Sequence, residues 1–132
     1  MKLPEYRKLI KKPMNHEESR LQIQCVNWFR ATYPELTIFA IPNAAKRGIA
    51  LATIMKREGM LAGVADLFVL CPRYFVVGGQ IHGLFIEMKT AEGKQSDTQK
   101  TFQIECEKQK YRYRLCRTYD EFKLIIYNYL ET

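Results

Sequence analysis

The chain has little histidine, a single tryptophan and no Cys-x-x-Cys pair. Only His16 and His82 are present, so chemistry that needs a histidine general base with further histidine ligands has poor support. The four cysteines, Cys25, Cys71, Cys106 and Cys116, lack the spacing of a zinc site. There is no Walker-type phosphate loop and no Gly-x-Ser-x-Gly elbow. No apolar run approaches the roughly 18–20 residues that cross a bilayer, so no membrane partner is expected. The opening residues, Met-Lys-Leu-Pro-Glu-Tyr-Arg-Lys, lead into no apolar segment of a secretory signal. A cytoplasmic protein with reduced thiols is therefore expected. Repeats, low-complexity tracts and linkers are also missing, which leaves a single domain over 1–132 as the expected organisation.

What is present is ordinary in bulk and uneven in charge. Of the 132 residues, 47% are hydrophobic and 27% charged, the balance of a globular domain with a real core. The formal net charge is +7, which favours polyanionic partners, nucleic acid foremost. Lys2, Arg7, Lys8, Lys11 and Lys12 make residues 1–14 a basic arm. A second basic cluster, Lys108, Lys110, Arg112, Arg114 and Arg117, is interleaved with Tyr111 and Tyr113. Alternate residues of a strand face opposite ways, so this cluster cannot form one surface.

Periodicity and capping signals divide the chain into nine elements. Asn15 reads as an N-cap with Glu18 at its third helical position, opening a helix to about Thr32. Leu21, Cys25, Trp28 and Phe29 lie on its apolar face. A short strand over Thr37 to Ile41 follows, then a helix from about Gly48 to Glu58 that stops at Gly59. Strands are expected at Asp66 to Leu70, Tyr74 to Val77 and Leu84 to Lys89, with a glycine-rich turn at Gly78, Gly79 and Gly83. Ser96 and Gln99 form a capping box for a helix reaching about Lys110. Arg112 to Cys116 is a strand, and Thr118 caps a last helix carrying Phe122, Ile125, Ile126, Tyr129 and Leu130 at helical spacing. The order α-β-α-β-β-β-α-β-α implies an α/β fold, a central mixed sheet flanked by helices.

Two pieces of this pattern carry chemistry. Gly63-Val64-Ala65-Asp66 is followed, after about twenty residues, by Phe85-Ile86-Glu87-Met88-Lys89. Residues two apart on a strand share a face, so Phe85, Glu87 and Lys89 point one way and Ile86 and Met88 the other. Ionised groups at the ends of interior strands are costly unless paired, solvated or bound to metal. Two converging carboxylates repel, and a divalent cation relieves that repulsion. Magnesium takes oxygen ligands, one or two carboxylates with waters and substrate phosphate. Asp66 and Glu87 supply that minimum, and the Met88 carbonyl offers a further oxygen. Such a metal polarises a phosphate and acidifies water; Lys89 beside it orients the water or stabilises phosphate charge. Glu-x-Lys alone is uninformative; the preceding Gly-x-x-Asp at this spacing gives it weight. Glu18 shares a helix face with Gln22 and Cys25 and is a further candidate, though its capping role alone would account for it. The same holds for Gln99. Asn43, Lys46 and Arg47 form a basic turn before a helix, suited to phosphate or merely to solvent.

These residues together resemble the PD-(D/E)xK nuclease superfamily, and within it the VRR-NUC family of virus-type replication-repair nucleases. The resemblance runs from about Asn15 to Lys110. It takes in Glu18-Ser-Arg-Leu-Gln22, Pro42-Asn43 with Arg47, Gly63-Val-Ala-Asp66, Phe85-Ile-Glu87-Met-Lys89-Thr and Gly93-Lys-Gln-Ser96-Asp-Thr-Gln99. It implies a restriction-endonuclease-like core and a metal-dependent nuclease, with magnesium, or manganese in its place, at Asp66 and Glu87. It implies a catalytic role for Lys89 and supporting roles for Glu18 and Gln99. Small stand-alone members of phage and bacteria imply a homodimer cutting branched DNA, such as four-way junctions, in replication, recombination or repair. The family often has proline before the aspartate; Ala65 stands there in this chain. Two other readings fit the charge: a non-catalytic DNA-binding module, and a nuclease subunit that needs a partner protein.

Overall fold

The computed structural model describes residues 16–43 and 47–131. The expected arm over 1–14, the Asn15 cap and Lys46 lie outside the described residues. Among the described residues four helices and six strands follow one another: α1 (His16–Thr32), β1 (Thr37–Ala40), α2 (Ile49–Arg57), β2 (Leu67–Leu70), β3 (Arg73–Phe75), β4 (Gly79–Ile81), β5 (Leu84–Met88), α3 (Asp97–Lys108), β6 (Arg112–Cys116) and α4 (Tyr119–Glu131). The main sheet has the order β1-β2-β5-β6, and β3 and β4 form a separate two-stranded ribbon. β1 with β2 and β2 with β5 are antiparallel, whereas β5 and β6 are parallel, so the sheet is mixed. A parallel neighbour needs a crossover, and α3 supplies it.

Strand alternation sends the two faces of the sheet into two cores. Leu67, Val69, Leu84, Ile86, Met88 and Cys116 pack with Cys25 and Phe29 of α1 and Phe122, Ile126 and Tyr129 of α4. On the other face Phe85 and Tyr113 meet Phe102 and Cys106 of α3 and Ala65. The result is three layers, helices on both sides of a sheet. Tyr129 belongs to the core, its hydroxyl donating to the Cys71 carbonyl, while Tyr127 is 40% exposed and meets Trp28 edge-on. Cys25, Cys106 and Cys116 are buried as small apolar residues, Cys71 is half-buried, and all four are free thiols.

Local signals fixed most boundaries. Ser96 accepts the Gln99 N–H and the Gln99 side chain accepts the Ser96 N–H, the reciprocal capping box. Thr118 Oγ1 accepts the Glu121 N–H and starts α4. The expected strand over Tyr74 to Val77 and its following turn are corrected. β3 spans Arg73–Phe75, and Gly79–Ile81 turns back as a strand the glycines concealed. Gly78 and Gly79 both take positive φ, 97° and 79°, at the tip of this ribbon.

Candidate active site

Asp66 directly precedes β2 and Glu87 is the penultimate residue of β5. The strands are antiparallel with Leu67 opposite Ile86, so both acids reach the same end of the sheet. Both are buried, 6% and 3% exposed. The β3–β4 ribbon joins the opposite ends of the same two strands.

The polar contacts around the pair are uneven. Asp66 Oδ2 accepts the backbone N–H of Met88 at 2.8 Å, and the Asp66 carbonyl accepts that of Ile41 at 2.8 Å. Glu87 Oε1 accepts Gln99 Nε2 at 2.9 Å and lies 3.8 Å from Lys89 Nζ. Glu87 Oε2 is buried without a hydrogen-bond partner. Burial first, and the Asp66 charge second, push the Glu87 carboxyl up to about 8; Lys89 opposes them and Glu18 adds a smaller push upward. The protonated acid can share its proton with Asp66, whereas two carboxylates only repel.

Gln99 makes two side-chain contacts at once. Its side-chain oxygen caps α3 and its amide nitrogen holds Glu87. Gly63 makes this possible. It sits at φ 91°, and a Cβ there would lie 2.4 Å from the Thr98 carbonyl oxygen. The first turn of α3 packs directly on the Gly63 backbone, which brings Gln99 beside the strand carrying Glu87.

Glu18 acts on Glu87 through its charge. Among the described residues, however, no three acidic, histidine or cysteine side chains gather as a metal-binding group. Asn43 and Arg47 line a cavity together with Gln99, so the turn before α2 is brought to the site's border. The Met88 side chain is wholly in the α1/α4 core, and only its backbone reaches the acids.

Sequence reasoning missed two contributors. Arg117 Nη1 donates to the carbonyls of Thr90 at 2.7 Å and Gly93 at 2.6 Å, with a longer contact to Ala91, and so clamps the loop that leaves Lys89. Tyr113 is buried beneath the site, its hydroxyl accepting Gln95 Nε2 at 3.2 Å. Burial first raises that phenol to about 12, with Glu87 and Asp66 adding to it and Gln95 opposing, so it stays neutral. The second basic cluster disperses, as alternation required. Arg112 lies over Phe75 and Tyr129, Arg114 bonds the Tyr113 carbonyl, and Arg117 faces the loop.

The donor set fits a hard divalent cation. Two adjacent carboxylates, one with an unpartnered inward oxygen, are the minimum that magnesium or manganese accepts while retaining waters. Cation charge would also reverse the repulsion that holds the Glu87 proton.

A mixed sheet between helices, with paired acids, a lysine and a glutamine at one end, defines a restriction-endonuclease-like nuclease fold. The VRR-NUC domain model matches residues 4–120, and the chain belongs to that family of nuclease domains. A solved structure described as a VRR-NUC domain protein superposes with a TM-score of 0.67 at 23% identity, covering 86% of this chain and 88% of that one. That likeness is one of fold. No curated protein matches the chain significantly. Among the described residues no helix is long and apolar enough to cross a membrane.

Proposed function

We propose that this protein is a magnesium-dependent endodeoxyribonuclease that hydrolyses phosphodiester bonds in branched DNA, four-way junctions included. The observation that carries the reading is the unpartnered, buried Glu87 Oε2 beside Asp66, with Lys89 and Gln99 on the other oxygen. A domain that merely held DNA would gain nothing from two buried acids facing phosphate.

Asp66 and Glu87 would hold the metal, with the Met88 carbonyl as a further oxygen donor. When bound, it supplies a positive charge that polarises the scissile phosphate and acidifies water. The chain's own residues do the rest. Gln99 fixes the Glu87 carboxylate, so one oxygen stays turned to the pair. Lys89, 14% exposed, presents its ammonium where charge builds on the phosphate oxygens. Asn43, Lys46 and Arg47 contact the DNA backbone flanking the cut, and the net charge of +7 favours its approach. The Glu18 charge, which repels the acidic pair, would add to the attraction for the cation. A homodimer would set two such sites on one junction for paired nicks.

The test is cleavage of matched duplex, flap and four-way-junction DNA with magnesium, manganese or EDTA, beside Glu87→Gln. Metal-dependent cutting that disappears in the variant, with the junction preferred, is expected. Wild-type cutting by the variant would overturn the site. Tight binding without any cutting would leave the chain a binding module or a subunit awaiting a partner protein. Sedimentation with and without junction DNA checks the dimer.

A further inference from the structure

Beside Gln99 the surface opens into a cavity of about 450 Å³ between α2 and the first turn of α3. Its volume falls in the roughly 300–1,000 Å³ range of small-molecule sites. The lining has two characters. Ile49, Ala52 and Leu61 form an apolar wall, and Arg47 and Lys56 bring two cations to the rim. Ile49 and Leu61 are 73% and 64% exposed. Helix α2 buries none of its residues, although its sequence has an apolar stripe at helical spacing. Among the described residues, neither cation has an ion pair or a side-chain hydrogen bond. An apolar wall under two uncompensated cations matches a flat, weakly polar ring joined to a phosphate.

We propose that this cavity takes one unpaired nucleotide of the cut strand. The base lies against Ile49, Ala52 and Leu61, and its phosphate meets Arg47 and Lys56. Gln99 links the cavity to Glu87 at 2.9 Å, which puts the occupant next to the bond being cut. A base stacked in intact duplex cannot enter, whereas one at a branch or mismatch leaves the stack at small cost. Preference for distorted DNA then comes from this cavity. That consequence rests on the nuclease reading, but nucleotide binding by the cavity does not.

The test begins without catalysis. Metal-free protein is titrated with deoxynucleoside monophosphates and, separately, with inorganic phosphate, and backbone amide shifts are followed by NMR. Saturable shifts over residues 47–64 are expected, with inorganic phosphate about tenfold weaker. Ala52→Trp fills the cavity and Lys56→Gln removes one cation; each should weaken the monophosphate about tenfold, with the fold checked by circular dichroism. Equal binding of inorganic phosphate, or shifts that Ala52→Trp leaves unchanged, would overturn the proposal. A second arm compares cutting of DNA with one unpaired nucleotide at the cut against its fully paired counterpart. The wild-type preference should fall in Ala52→Trp, and a preference equal to wild type also overturns the idea. Absence of cutting on every substrate, with monophosphate binding intact, rejects the nuclease reading and leaves the cavity standing.

Discussion

Asp66 Oδ2 accepts the backbone N–H of Met88 at 2.8 Å, so one acid of the site also satisfies the strand that carries the other. This makes two substitutions at Asp66 differ. Asp66→Asn keeps an acceptor for that N–H and should lower the melting temperature little while abolishing cleavage. Asp66→Ala leaves a buried donor unsatisfied, at a cost of about 1–3 kcal/mol, and should lose cleavage and stability together. Thermal unfolding beside the cleavage assay separates the two; equal melting temperatures would deny the bond its structural role.

Glu87 gives the metal-free protein a pH dependence of unusual sign. Its folded value of about 8 lies above the ordinary 4.5, so the native state holds a proton that the unfolded chain releases. Stability from this group is therefore full below about pH 4.5 and is lost as pH rises towards 8. Glu87→Gln should melt higher than wild type at pH 8 to 9 without metal, and the gap should close in acid. A variant that is less stable across this window would show that repulsion is not what the carboxylate contributes.

Magnesium should reverse that order. A ligand that binds only the folded state raises its melting temperature, and here binding must displace the Glu87 proton. The magnesium-induced rise should grow with pH between 6 and 9 in wild type and vanish in Glu87→Gln. Calorimetric scans with EDTA or magnesium measure it; a rise of the same size in the variant would place the cation elsewhere.

Gly63 and Gln99 form one unit. Gly63→Ala puts a Cβ 2.4 Å from the Thr98 carbonyl oxygen at a φ of 91° and should lose stability and activity together. Gln99→Leu removes the contact to Glu87 and with it the Ser96 N–H bond of the capping box, while Ser96 Oγ still caps the helix through the Gln99 N–H. By analogy with residues that orient metal ligands, it should reduce cleavage about 10–100-fold. If Gln99→Leu cuts as wild type does, the glutamine serves the cap alone.

Arg117 should reveal itself through the loop rather than the fold. Arg117→Ala frees the carbonyls of Thr90 and Gly93. Hydrogen exchange at residues 90–95 should speed up, and the turnover rate should fall more than substrate affinity. Arg117→Lys, still a donor, should restore part of the rate. Unchanged exchange in that segment would dismiss the clamp.

The two faces of β5 were readable because alternation alone separates Phe85, Glu87 and Lys89 from Ile86 and Met88. The caps at Ser96 and Thr118 were readable because their partners lie three residues away. Arg117 was not, since its carbonyl partners lie 24 to 27 positions back along the chain. β4 was hidden because a three-residue strand beginning with glycine lacks alternation long enough to register. The apolar stripe of α2 carried no sign that the helix would bury none of its residues, since spacing marks a face and not what covers it.

The β3–β4 ribbon has a practical consequence. Val76 and Val77 at its tip are almost fully exposed, and the tip sits at the end of the sheet away from the acids. Exposed loop tips of this kind accept added sequence with little loss of stability. The chain can therefore be spliced open between Val77 and Gly78 to carry an affinity tag or a fluorescent reporter, giving a handle for immobilising the molecule with its acidic end facing outward.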